Sequence, residues 1–210
     1  MTGAPAATAY PWRSLGPNVP RRGNGLTRGL SRLLLRLAGW RIVGTIPDLP
    51  KFVLIVAPHT SNWDFPVGLM ARGAIGFRAE FLGKDTLFRP PLGWIMRWLG
   101  GHPVNRRHPQ GVVGAIIGTI RSRSAFLLAL APEGTRRRVE RWRTGFYHVA
   151  LGAGIPIVPV AFDFGRREIV LHEAFWPTSD EPADLAALGE VYRGVTGRRP
   201  ELFGQARGGD

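Results

Sequence analysis

Unbroken apolar runs alternate along this chain with segments in which apolar residues recur every three or four positions. The runs at 52–57, 79–83, 125–131, 155–163 and 168–172 predict strands, and the periodic segments at 66–75, 92–99, 111–121, 145–152 and 182–195 predict helices. Strands that lack polar alternation are buried on both faces. Their alternation with helices therefore predicts an α/β fold with a largely parallel central sheet flanked by helices. The run at 154–160 carries Pro156 and Pro159. Proline cannot donate to a ladder, so this strand is expected at an edge or beside a bulge.

One further segment is amphipathic. Arg28, Arg32 and Arg36 share one side of a helix, and Leu30, Leu33, Leu34 and Leu37 share the other. Two readings follow: a helix packed on its own domain with its arginines solvated, or a helix laid in a lipid headgroup layer. Residues 1–25 and 204–210 are rich in Gly, Ala, Arg and, at the start, Pro. They read as poorly ordered tails around a single domain at 26–203. No apolar run reaches the ~18 to 20 residues of a spanning helix, and residues 1–25 lack the apolar block of a secretory signal. No membrane crossing is expected.

Charge and cysteine count narrow the chemistry. The 28 basic residues against 15 acidic ones leave a formal charge of +13, which implies an anionic partner: phosphate, a lipid surface or nucleic acid. Cysteine is absent, so disulfides, thiolate metal sites and a cysteine nucleophile are excluded together. The five histidines show no paired metal-ligand spacing, and no metal is expected.

Two strand ends carry the candidate chemistry. After the run at 52–57 come Pro58, His59, Thr60, Ser61, Asn62, Trp63 and Asp64. His59 and Asp64 would point about 140° apart on a regular helix, so a pair between them requires a turn between strand end and helix start. Such a turn could supply a base and its orienting carboxylate. Equally, Asp64 could be only the N-cap of the next helix, and His59 only a satisfied strand-end histidine. The second strand end reads Pro132, Glu133, Gly134, Thr135, Arg136. Close backbone approach at glycine, a hydroxyl and forked guanidinium donors suit a phosphate, while Glu133 would repel one unless it holds an arginine in place. A solvated turn is the plainer alternative.

In order and content these segments resemble the glycerolipid acyltransferase family. That family carries a His-x4-Asp motif, a Gly-rich segment ending in arginine, a Pro-Glu-Gly-Thr-Arg motif and a late apolar segment with proline. Here they read as His59 with Asp64, Gly101 through Arg106, Pro132 to Arg136, and Ile155 to Val160. Trp142, Arg143, Thr144 and Gly145 resemble a further aromatic, basic, variable, glycine run, with Arg143 where lysine is commoner. Lys84, one of only two lysines, resembles a family lysine near the acceptor phosphate. The chain departs at Pro103 and Asn105, where an aromatic or branched residue and an aspartate are more usual.

The resemblance implies transfer of a fatty acyl group from a thioester to a lysophospholipid hydroxyl, with 1-acylglycerol-3-phosphate or another amphipathic alcohol as acceptor. Acyl-CoA or acyl carrier protein would be co-substrate, with no resident cofactor. His59 would be the base and Asp64 its partner. Lys84, Arg106, Glu133, Gly134, Thr135, Arg136 and Arg143 would hold the acceptor phosphate, and Pro156 and Ile157 would line an acyl groove. Peripheral attachment to an anionic membrane surface, on its cytoplasmic face, follows from a bilayer-borne acceptor. The rival reading, a basic nucleic-acid-binding protein, predicts a binding module or interleaved aromatics that the sequence lacks, so no nucleic-acid partner is expected.

Overall fold

A computed structural model describes residues 15–104 and 109–204. Its seven strands are β1 (Arg41–Val43), β2 (Lys51–Ala57), β3 (Glu80–Lys84), β4 (Gly101–Val104), β5 (Phe126–Leu130), β6 (Ile157–Asp163) and β7 (Glu168–Leu171). They form one sheet in the order β1-β7-β6-β2-β5-β3-β4. Every neighbouring pair is parallel except β6 with β7. The helices are α1 (Gly25–Leu37), α2 (Asp64–Ile75), α3 (Gly93–Trp98), α4 (Pro109–Ser122), α5 (Gly145–Ala153) and α6 (Glu181–Glu190).

The central strand is apolar throughout because it is covered twice. Phe52 and Leu54 of β2 face a cluster with Val67, Ala71 and Ala74 of α2. Val53, Ile55 and Ala57 face the opposite cluster, with Phe146, Val149 and Ala150 of α5. Parallel pairing of β2 with β5, Ile55 opposite Leu130, brings the C-terminal ends of both strands to one edge of the sheet. In open α/β sheets that edge is where crevices form.

The strand with two prolines is not at an edge: β6 lies between β2 and β7. His172 donates its N–H to the carbonyl of Pro159 at 3.0 Å, so the nitrogen of Pro159 also faces this side. There it lies just past Leu171, where β7 ends, and the missing donor costs no ladder bond within β7. β1 and β4 carry too few apolar residues to be read from pattern.

α1 is rotated opposite to a helix that packs its leucines inward. Leu26, Leu30, Leu33, Leu34 and Leu37 are exposed, while Leu35 is buried and Arg28 and Arg32 are half-buried. The reason lies at the C-terminus of α2, whose last carbonyls need donors. Arg32 Nε donates to the carbonyl of Ala74 at 3.0 Å, and the Arg28 side chain covers Gly76. Residues 15–24, grouped with the tail by composition, are pinned to the domain: Val19 is buried, and Arg22 N–H donates to Gly76 at 2.9 Å. The remaining tail residues, 1–14 and 205–210, lie outside the described residues.

Candidate active site

β2 ends at Ala57, and α2 begins only seven residues later at Asp64, so the chain must turn sharply between them. Ser61 shapes the turn. Its N–H donates to Asp64 Oδ2 at 2.8 Å, its hydroxyl donates to Asp64 Oδ1 at 3.1 Å, and the hydroxyl oxygen accepts from Trp63 N–H at 3.1 Å. Asp64 is not the N-cap; it is the first helical residue, placed where the helix dipole favours a negative group. The turn folds its buried carboxylate back toward the strand, and His59 Nδ1 lies 3.0 Å from Oδ2.

The three bonds to Asp64 are what an acceptor-only carboxylate can satisfy. The proton shared with it therefore belongs on Nδ1, which leaves the Nε2 lone pair uncommitted. Nε2 bonds no described group, and the ring is partly exposed. A partly exposed imidazole with one nitrogen held by a buried carboxylate is equipped to take a proton from a hydroxyl brought to its other side.

The loop after β5 meets this turn from the neighbouring strand. Glu133 is buried, and its Oε2 accepts the His59 backbone N–H at 2.7 Å, while Oε1 has no partner. Burial pushes the Glu133 carboxyl up from the usual 4.5 to about 8; the His59 N–H opposes that rise and the nearby Asp64 adds to it. Glu133 thus holds the backbone of His59, and no described arginine forms an ion pair with it. Gly134 has φ +65°, and a Cβ there would lie 2.5 Å from Cδ of Arg143, so the arginine chain runs directly over it. Arg143 also donates its N–H to Pro132 at 2.8 Å. Thr135 Oγ1 accepts from Arg137 N–H at 3.3 Å. Arg136 reaches across to the histidine loop, its Nε donating to Ser61 O at 3.1 Å.

Beside the loop lies a cleft of about 530 Å³ lined by residues 60–63, Arg136, Arg198 and Arg199. The last two are not singled out by sequence reasoning: the only signal is an arginine doublet before Pro200, in a segment without periodicity. Lys84 ends β3 on the same edge of the sheet, with β5 between it and β2, and is not part of the cleft lining. Arg106 lies outside the described residues, as does Asn105. Pro156 and Ile157 do not belong to this edge. Ile157 pairs with Val53 near the start of β2 and is fully buried, and Pro156 accepts the Val53 N–H at 3.0 Å. The sheet separates both from His59 by the length of β2, so neither can line a groove there.

A family model described as Acyltransferase matches residues 44–163. The 1-acyl-sn-glycerol-3-phosphate acyltransferase of Escherichia coli (strain K12) is 27% identical over 126 residues, covering 57% of this chain and 50% of that protein. The enzyme of the same name from Streptococcus pneumoniae is 30% identical over 144 residues, covering 64% of this chain and 52% of that protein. The chain thus spans about half the length of the curated relatives it matches. The crystal structure of the 1-acyl-sn-glycerophosphate (LPA) acyltransferase from Thermotoga maritima has the same fold, with a TM-score of 0.59 at 20% identity, covering 81% of this chain and 77% of that one.

Because Glu133 holds its proton more tightly folded than unfolded, its contribution to stability is complete below pH 4.5 and falls as pH rises toward about 8. Replacing Glu133 by Gln keeps an oxygen for the His59 N–H and removes the titration. Urea unfolding of the two proteins should therefore diverge in favour of Glu133→Gln by up to about 4 kcal/mol between pH 5 and pH 8.5. A constant difference across that range would show that the carboxyl titrates normally.

Proposed function

The chain belongs to the acyltransferase family, and we propose that it moves a fatty acyl group from a thioester to the free hydroxyl of a lysophospholipid, with 1-acylglycerol-3-phosphate as acceptor. The thioester is carried on coenzyme A or acyl carrier protein. The observation that carries this reading is the His59–Asp64 contact of 3.0 Å beside an arginine-lined cleft.

His59 Nε2 takes the proton as the acceptor oxygen attacks the thioester carbonyl carbon. Asp64 holds the ring in the competent tautomer and stabilises the imidazolium. Collapse of the tetrahedral intermediate breaks the carbon–sulfur bond, and the proton passes from Nε2 to the leaving sulfur. A thiol leaves with a pKa near 8.5, so no covalent enzyme intermediate is required. Arg136 supplies guanidinium donors at the cleft, and charge-assisted bonds to the acceptor phosphate would set the distance between hydroxyl and carbonyl. Glu133 keeps the histidine backbone in register with its carboxylate partner.

The acceptor is held in a bilayer, and one side of the molecule is suited to meet one. The five outward leucines of α1 include Leu26 and Leu37, exposed by 80% and 76%, and Trp94 and Trp98 of α3 are exposed by 69% and 67%. Arg22, just ahead of α1, stacks over Trp98 at 5.0 Å, so the two apolar elements lie on the same side. Apolar side chains flanked by arginine fit an interfacial element on anionic lipid. Among the described residues no helix is long and apolar enough to cross a membrane. A coenzyme A or acyl carrier protein donor would favour the cytoplasmic face as the place of reaction.

Two measurements test these assignments. With acyl-CoA and lysophosphatidate, following free thiol, His59→Ala is expected to lower turnover by about 10²- to 10⁴-fold, and near-normal turnover would remove His59 from the reaction. Sedimentation with vesicles containing phosphatidylglycerol at low salt is expected for the natural sequence. Leu30→Asp with Leu33→Asp should cut the bound fraction by about tenfold while leaving the melting temperature unchanged, since both side chains face outward. A natural protein that stays in the supernatant would end the membrane assignment.

A further inference from the structure

The polypeptide after β7 returns to the reactive edge of the sheet and is fastened across it. Tyr192 donates its hydroxyl proton to Ile55 O of β2 at 2.7 Å. Phe164 N–H donates to Thr196 O at 2.8 Å. Gly197 packs so closely on the histidine loop that a Cβ there would lie 2.8 Å from Thr60 Oγ1 and 3.0 Å from Cβ of Pro58. Arg199 N–H donates to Thr60 Oγ1 at 3.1 Å. Gly204 lies against Val139, where a Cβ would meet the carbonyl oxygen at 2.0 Å. Residues 192–204 are thus a strap that crosses the ends of β2 and of the loop after β5, wholly beyond the 44–163 match.

The strap delivers Arg198 and Arg199 to the cleft beside Arg136. No carboxylate lines that cleft, and no described acidic residue makes an ion pair with any of the three arginines. A second arginine-lined cleft among the described residues is different. It lies at the opposite edge of the sheet, where Glu80 takes Arg123 at 2.7 Å and Arg78 at 3.5 Å. There one buried carboxylate already offsets part of the positive charge. At the reactive edge it is left for a ligand.

We propose that Arg198 and Arg199, with Arg136, form a phosphate-binding site built by the C-terminal strap, which takes a phosphate group of a substrate. The ligand identity rests on the acyl-transfer reading; the anion site itself rests on the cleft. Three arginines line one opening, guanidinium forks suit phosphate oxygens, and Thr60 and Ser61 of the same lining directly follow His59 in the chain. The phosphate can come from the acceptor headgroup or from the donor carrier, and the test separates them.

Titration calorimetry with the whole chain uses sn-glycerol 3-phosphate as the acceptor headgroup and coenzyme A as the donor carrier. The variant is Arg198→Ala with Arg199→Ala, which keeps the backbone bond to Thr60; Arg193→Ala, on the same strap but paired with Glu190 at 2.6 Å, is the control. The double variant should weaken one compound by about tenfold or more, and Arg193→Ala neither. Loss for glycerol 3-phosphate assigns the site to the acceptor, and loss for coenzyme A assigns it to the donor. Lysine at both positions should restore part of the affinity. Equal binding by the natural protein and the double variant, or no binding of either compound by the natural protein, overturns the proposal. If the natural protein transfers no acyl group but the double variant still loses anion binding, acyl transfer falls and the strap site stands. Normal acyl transfer with unaltered anion binding in the double variant removes the strap site and leaves acyl transfer standing.

Discussion

The carboxylate of Asp64 holds the reactive end of this molecule together. It is buried, and it accepts from the Ser61 N–H, the Ser61 hydroxyl and the His59 ring. A buried carboxylate left unpaired would be costly, so these bonds are demanded by the fold before any chemistry is considered. The Ser61 bonds bend the chain between β2 and α2. That bend sets the direction of the imidazole, and the imidazole's bond to the same oxygen fixes which nitrogen stays free. Local structure and the proposed proton transfer therefore draw on one set of atoms.

Glu133 is the opposite case a few ångströms away. Only one of its oxygens is bonded, to the His59 N–H, and burial raises its carboxyl to about 8. Burial is the main cause of that rise, opposed only by the single His59 N–H. The consequence reaches the substrate. With its carboxyl raised toward about 8, Glu133 repels an anion in the adjoining cleft less than an ordinary carboxylate would, so an acidic residue beside the proposed phosphate-binding arginines is no contradiction.

How far each feature can be read from the sequence follows from how much it depends on distant contacts. The run at 52–57 announces β2 because both its faces are covered, and the His59 and Asp64 pairing requires only the turn that follows it. β1 and β4 are three and four residues long, and the polar or glycine positions in them leave no pattern to read. Pro159 misleads because its missing donor matters only relative to where β7 ends, which no local reading reveals. Arg198 and Arg199 are silent for the same reason: Gly197 and the Thr60 hydroxyl dock them on the site from far along the chain.

The rotation of α1 makes the strongest case that the protein's surroundings shape its surface. In water alone, turning Leu26, Leu30, Leu33, Leu34 and Leu37 inward would recover about 1.5 kcal/mol or more for each side chain buried. Against this stand the bond from Arg32 to Ala74 O, worth about 1.5 to 3 kcal/mol at most, and the packing of the Arg28 side chain over Gly76, whose buried Nε bonds no described group. The inward arginines do not outweigh the outward leucines if the helix is to face only water. The balance would close if a second apolar phase covered the leucines, as the proposed membrane attachment requires, while the same rotation caps α2 through Arg32. The outward leucine face of α1 is thus what the proposed lipid-borne acceptor would call for.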